Sequence, residues 1–284
     1  METSEFRRKR PGEISLLTYN IFGGVGLSTL LQELSSLSEK PDLICFQEYP
    51  QNGRERELLE KFFDGDYLHE SFFSFSLRER TLGLCVFYKK GLGRLLEKRT
   101  ISLPPSGLYA IEKILMRAAV GSSKAWTREA LLIRLEIRGK PLNLVNTHLA
   151  WEIFGQSKKE QIQFLLKGLS SEIGTESVLI SGDFNLRQDS QNYPAVLSEL
   201  TAAGFNQLTT AVTKSYNPLS RLSFPEDKTA LIRQSMLAFL TFFKLLRPLK
   251  IDYIFGRNVE SNFATSLPFN GSDHYPLLAY FHLG

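Results

Sequence analysis

Val178-Leu179-Ile180-Ser181-Gly182-Asp183-Phe184-Asn185 is the stretch on which the reading of this chain turns. Three β-formers running out into glycine predict a buried strand that ends in a tight turn, with Asp183 and Asn185 at its carboxyl end. Alternate residues of a strand share a face, so the pattern predicts a carboxylate and an amide presented together. Such a pair can accept a proton and donate to an anionic oxygen. Gly-Asp-x-Asn after a strand is also ordinary turn chemistry, so the segments around it have to decide.

Working outward, Ala130 to Ile137 and Leu142 to Asn146 read as a hairpin turned at Arg138-Gly139-Lys140, whose second arm runs into Asn146-Thr147-His148-Leu149. His148 thus leaves an apolar strand, where a histidine serves either as a structural hydrogen-bonder or as a functional group. Further back, Leu43-Ile44-Cys45-Phe46-Gln47-Glu48 puts a carboxylate where a buried strand stops before Tyr49-Pro50. Such an acid suits a hard divalent cation, though it also reads as a surface Glu opening a loop. Ile14 to Tyr19 is a strand that delivers Asn20 to the turn Gly23-Gly24-Val25-Gly26, which lacks the spacing of a nucleotide loop. Ser28 is expected to cap a helix bearing Leu30, Leu31, Leu34 and Leu37, closed by Pro41.

Helices are also expected over Arg54 to Phe63, Leu108 to Ala119, Ser157 to Leu169 and Pro194 to Ala203, and strands over 71–77, 82–88 and 95–103. The stretch 228–247 reads as a helix apolar on most of its circumference, suited to burial between layers or to a lid gripping lipid. Lys250 to Phe255 is a strand with Asp252 embedded among apolar neighbours, where an unpaired charge is costly, so Asp252 should have a partner. Asp273 and His274 lie side by side before the last strand, Leu277 to Leu283.

The bulk properties are ordinary for a soluble globular enzyme and are compatible with this. A chain of 284 residues with 43% hydrophobic and 23% charged residues can bury a sizeable core, and 34 basic residues nearly balance 30 acidic ones for a net charge of +4. That permits an anionic substrate without implying a dedicated nucleic-acid binder. No stretch has the uninterrupted apolar length of a membrane span. Cys45 and Cys85, each inside an apolar run, are expected to be buried reduced thiols. Residues 1–13, with Arg7-Arg8-Lys9-Arg10, read as a flexible basic tail rather than a secretory signal, and a cytoplasmic location is expected. No linker divides residues 14–284, so a single domain is expected, acting as a monomer.

Thr18-Tyr19-Asn20, Gln47-Glu48, Asn146-Thr147-His148-Leu149, Gly182-Asp183-Phe184-Asn185, Ile251-Asp252-Tyr253 and Ser272-Asp273-His274 follow one another in the order typical of the endonuclease/exonuclease/phosphatase superfamily, which the chain resembles over residues 14–283. The resemblance implies an α/β fold, a four-layer α/β sandwich of two face-to-face mixed β-sheets flanked by helices. It also implies a magnesium- or manganese-dependent phosphoester hydrolase. By the same resemblance Glu48 is the principal metal ligand, with Asn20 and Asp273 assisting. Asp183 and His274 lie by the attacking water, Asp252 orients a histidine, and His148 and Asn185 donate to phosphate oxygens. Arg128 resembles a phosphate-contacting arginine of pancreatic-type deoxyribonucleases; a surface ion-paired arginine is the alternative.

Tyr49 and Asn146-Thr147-His148 depart from the abasic-site endonucleases, and the inositol-polyphosphate phosphatase signature is missing. The motif forms are more similar to sphingomyelinase-type, deoxyribonuclease-type and tyrosyl-DNA-phosphodiesterase-like members. The substrate expected is therefore a phosphodiester, in nucleic acid or in a phospholipid headgroup. The second choice would bring peripheral membrane contact through the 108–119 and 228–247 helices. A catalytically dead scaffold is disfavoured because every motif acid and histidine is present.

Overall fold

The computed structural model describes residues 7–77, 80–105, 128–150, 157–172, 174–217, 220 and 248–284. Its core is two six-stranded sheets. The first takes β1 (Ile14–Asn20), β2 (Leu43–Pro50), β3 (Tyr67–Leu77), β4 (Arg80–Lys89), β11 (Val259–Ser266) and β12 (Leu277–Leu283) in the order β11-β12-β1-β2-β4-β3. The second takes β5 (Arg94–Leu103), β6 (Arg128–Ile137), β7 (Lys140–His148), β8 (Ser177–Asp183), β9 (Asn206–Gln207) and β10 (Asp252–Arg257) in the order β5-β6-β7-β8-β10-β9. Each sheet is antiparallel except for one central parallel pair, β1 with β2 and β7 with β8.

Strand alternation builds the layers. Leu16, Leu43 and Cys45 point into a core between the sheets, where they meet Leu131, Leu144 and Leu179. Their neighbours Leu17, Ile44 and Phe46 face outward, under α1 (Leu27–Ser35) and α2 (Gly53–Phe63). On the other side Leu132, Val178 and Ile180 face α3 (Ser157–Gly168) and α4 (Asn192–Ala202). Strands covered on both faces read as unbroken apolar runs, which is why the sequence shows them so clearly. The helices offer single stripes: Leu27, Leu30 and Leu34 on α1, Val196 and Leu200 on α4. Layer order is therefore helix, sheet, sheet, helix, as expected.

Several local expectations need correction. α1 starts at Leu27 with Gly26 as its cap and no side-chain capping bond, so Ser28 lies inside the first turn, and the helix stops at Ser35, well before Pro41. The basic run is not a wholly solvated tail. Arg7 donates to Glu13 at 2.9 Å and lies over the rings of Phe263 and Tyr280, while Lys9 reaches Asp42 at 2.9 Å. Arg138 and Gly139 both take positive φ, 54° and 77°, the turn geometry that lets a two-residue hairpin match the strand twist. Cys45 and Cys85 are buried and unpaired as expected, and they face opposite sides of the first sheet. Burial pushes the Cys45 thiol up to about 12, so it is inert at neutral pH. The apolar patterns at 108–119 and 228–247 lie outside the described residues; no helix among those described is long and apolar enough to cross a membrane.

Candidate active site

Parallel pairs send their carboxyl ends the same way, and antiparallel β10 and β12 begin where those ends stop. The polar groups that leave each apolar run are thereby gathered at one end of the sandwich. Across the second sheet, register does the assembly: Asp183 pairs with His148 on one side and with Asp252 on the other. Gly182 allows the close approach, since a Cβ there would lie 1.9 Å from the Thr147 carbonyl oxygen. From the facing sheet, Asn20 at the end of β1 reaches Asp183.

Asp183 is the hub. Its Oδ2 accepts from Asn20 Nδ2 at 3.0 Å and lies 3.4 Å from His148 Nε2 and 3.7 Å from His274 Nε2. Its Oδ1 accepts the main-chain N–H of Asn185 at 2.8 Å. That bond corrects the expectation that Asp183 and Asn185 alternate on one strand face. β8 ends at Asp183, and Asn185 sits beyond it at φ 48°, in a turn closed by the carboxylate. The Asn185 amide donates to Leu149 O at 3.0 Å, using one of its two hydrogens.

Asp252 has the partner its burial demanded. Both of its oxygens face His274 Nδ1, at 2.9 and 3.2 Å, which fixes the imidazole with Nδ1 as donor and turns Nε2 toward Asp183. The sequence reading missed the group that holds Asp252 in turn. Ser215 Oγ donates to Asp252 Oδ2 at 2.6 Å and accepts from the main chain of Ile251 and Asp252. Ser215 sits in the polar stretch Thr213-Lys214-Ser215-Tyr216-Asn217, with no motif and no periodicity to reveal it. The Tyr216 ring lies against His274, 4.9 Å between centroids.

Electrostatics follow from this packing. Burial raises the Asp183 carboxyl well above the usual carboxylate range, and the Asp252 charge adds to it. Burial also works against a charged His274, yet Asp252 and Asp183 outweigh it and hold the imidazole protonated above its ordinary range. His148 moves the opposite way, lowered by burial and by the positive charges of Arg128 and His274. Arg128, at the first position of β6, is buried rather than on the surface. Burial lowers it to about 10, with Glu48 and Asp183 pulling back, so it keeps its charge at neutral pH and faces the two carboxylates.

Glu48 lies inside β2 rather than after it. The pairing of β2 with β4 shifts register between Phe46 and Tyr49, and Glu48 takes φ 52° within that bulge. Bulges of this kind re-aim a side chain. Asn20 Nδ2 lies 3.3 Å from Glu48 Oε1, while its Oδ1 accepts the N–H of Phe22 at 3.1 Å. Ser272 links the third acid to the same corner, donating to Asn20 O at 2.7 Å and lying 3.3 Å from Asp273 Oδ1. Asn20 is thus joined to Glu48 through its side chain and to Asp273 through its main-chain oxygen and Ser272. With its oxygen on Phe22 and its amide hydrogens on two carboxylates, Asn20 also orients acids. Among the described residues Asp183, Asp252 and His274 come within 4.8 Å of one another as well. Within that group His274 Nδ1 donates to the Asp252 carboxylate, whose two oxygens share it.

The two face-to-face sheets gather Asp183, Asp252, Asp273, His148 and His274, all buried, at one end of an α/β sandwich. The chain belongs to the Endonuclease/Exonuclease/phosphatase family, whose model matches residues 17–274. Among solved structures, the human Nocturnin catalytic domain with bound sulfate anion superposes with a TM-score of 0.66 at 17% identity, covering 97% of this chain and 95% of that one. D. rerio TDP2 complexed with single strand DNA product gives 0.64 at 14% identity, covering 95% and 99%. An endonuclease/exonuclease/phosphatase from Beutenbergia cavernae gives 0.65 at 13% identity, covering 98% and 72%. At these identities the likeness is one of fold. No curated protein sequence matches the chain significantly.

Proposed function

We propose that this protein is a divalent-metal-dependent phosphodiester hydrolase in which an activated water attacks in line with the leaving oxygen. The observation that carries the reading is the convergence on Asp183 Oδ2 of Asn20 Nδ2, His148 Nε2 and His274 Nε2, all within 3.7 Å and buried. A carboxylate with raised proton affinity beside a protonated, Asp252-held imidazole can take the proton of water as its oxygen bonds to phosphorus. As that bond forms, one P–O ester bond breaks and its oxygen leaves with the electron pair, to be protonated by water, while the other ester bond stays intact. His148, the second amide hydrogen of Asn185 and the Arg128 guanidinium would stabilise the charge that builds on the non-bridging oxygens. Glu48, with Asp273 and Asn20, would hold the ion, which supplies Lewis-acid charge at the phosphoryl group.

Nucleic acid is the proposed substrate class. Buried cationic Arg128 suits a phosphodiester, and a neighbour in fold, TDP2, carries a single strand DNA product. The test is hydrolysis of bis(p-nitrophenyl) phosphate beside p-nitrophenyl phosphate, with magnesium or manganese and with chelator. Chelator-sensitive cleavage of the diester is expected. Cleavage of the monoester alone, or diester cleavage indifferent to chelator, overturns the reading.

A further inference from the structure

Just beneath the catalytic end, a buried amide pair ties the two sheets together. Gln47 Nε2 donates to Asn146 Oδ1 at 2.7 Å, and both residues are fully buried. The Asn146 amide donates in turn to two main-chain carbonyls of the opposite sheet, Phe46 O at 2.9 Å and Cys85 O at 3.0 Å. Phe46 and Cys85 are the last regular pair of β2 and β4 before the register shifts, and pairing resumes at Tyr49 with Gly83. An amide from one sheet therefore satisfies carbonyls at the bulge of the other. Gly83 closes the far side of that bulge, where a Cβ would lie 2.0 Å from Phe72 O, so the backbones of β3 and β4 approach there without a side chain between them.

The same layer lies one step below each functional group. Thr18, which accepts from Gln47 Nε2 at 3.0 Å, precedes Asn20 by one alternation of β1. Asn146 stands likewise before His148, and its register partner Ser181 stands before Asp183. An inter-sheet core made mainly of Leu, Ile and Val would accept apolar residues here at lower desolvation cost. Two amides add direction instead, fixing one register and one spacing.

We infer that the Asn146–Gln47 pair is a positioning clamp that couples the bulge aiming Glu48 to the strands bearing His148 and Asp183. The inference rests on the proposed role of Glu48 and concerns residues that touch neither substrate nor ion. Asn146→Leu and Gln47→Met remove the donors at similar size, with Glu48→Gln as reference. The readouts are hydrogen–deuterium exchange by peptide, Mn2+ titration followed by the electron paramagnetic resonance of the free ion, and thermal unfolding. With the clamp removed, exchange rises selectively in 43–50 and 82–88, and Mn2+ affinity falls roughly 10- to 100-fold, the range for groups that orient ligands. Unchanged exchange in those segments, a rise spread evenly over both sheets, or failure of both variants to fold assigns the pair to the general core and overturns the inference. If Glu48→Gln binds Mn2+ like the wild type, the role of Glu48 fails instead, and the exchange data alone decide the clamp.

Discussion

In the proposed mechanism Asp183 acts on the substrate, while Ser215 holds Asp252 and, through it, His274. Asp183→Asn preserves size and both neighbouring N–H donors but removes the proton acceptor. Turnover is expected to fall about 100- to 10,000-fold, the usual share of a positioned general base, with thermal unfolding little changed. Activity near the wild-type level in a folded Asn variant rules Asp183 out as base. Ser215→Ala acts at one remove. It takes a donor from Asp252 Oδ2 and an acceptor from two main-chain N–H groups, so it should cost about 1–3 kcal/mol of stability. Because Asp252 sets the orientation of His274, kcat should also fall about 10-fold or more while KM holds. A Ser215→Thr variant, which keeps the hydroxyl, should recover most of kcat. Loss of KM alone in Ser215→Ala would place the serine outside this chain of bonds.

Among the elements, legibility tracked how each strand is buried. β1, β2, β7 and β8 are covered on both faces, so their apolar runs and the polar residues that end them stood out together. β11 went unread because it is an edge strand with no fully buried residue, and Val-Glu-Ser-Asn-Phe-Ala-Thr-Ser carries too few apolar residues to show a face. β9, a strand of two residues, offers no period at all. The bulge at Glu48 was invisible because φ is not written in side-chain pattern, and Ser215 because its role exists only through Asp252, far off in sequence. The docked Arg7 was missed for a related reason: charge runs usually solvate, and only the fold brings Glu13, Phe263 and Tyr280 around it. That docking carries a pH prediction. The Arg7 hydrogen bond and charge hold the Glu13 carboxyl down at about 2, against desolvation. A depressed folded-state value stabilises above the unfolded pKa near 4.5, and the contribution is lost as pH falls from there toward 2. Wild-type unfolding free energy should therefore drop over that window, and Glu13→Gln should be less stable at pH 7 but shallower in slope below pH 4.5. Equal slopes in urea melts would show that the pair contributes nothing to acid sensitivity.

At the scale of the whole molecule, charge balance constrains how a nucleic acid can be held. With 34 basic against 30 acidic residues, the chain carries only a small excess of positive charge, and among the described residues Arg128 and protonated His274 are the buried cations beside Asp183. Binding that displaces counterions from only a few phosphates has a shallow salt dependence, since each single-strand phosphate neutralised contributes about −0.7 to the slope of log affinity against log salt. The expected slope for a short single-stranded oligonucleotide, measured with inactive Asp183→Asn, is therefore about −1 to −2, well short of the slopes near −10 seen when many phosphates are engaged. Arg128→Met should flatten it by about 0.7 and weaken binding alike across base sequences, because a guanidinium aimed at phosphate reads no base. A slope steeper than about −4 would require a cationic track beyond the site and would move the search for the binding surface away from this end of the sandwich. A slope of zero with undiminished affinity would remove phosphate contact from the account of binding and, with it, nucleic acid as the proposed substrate.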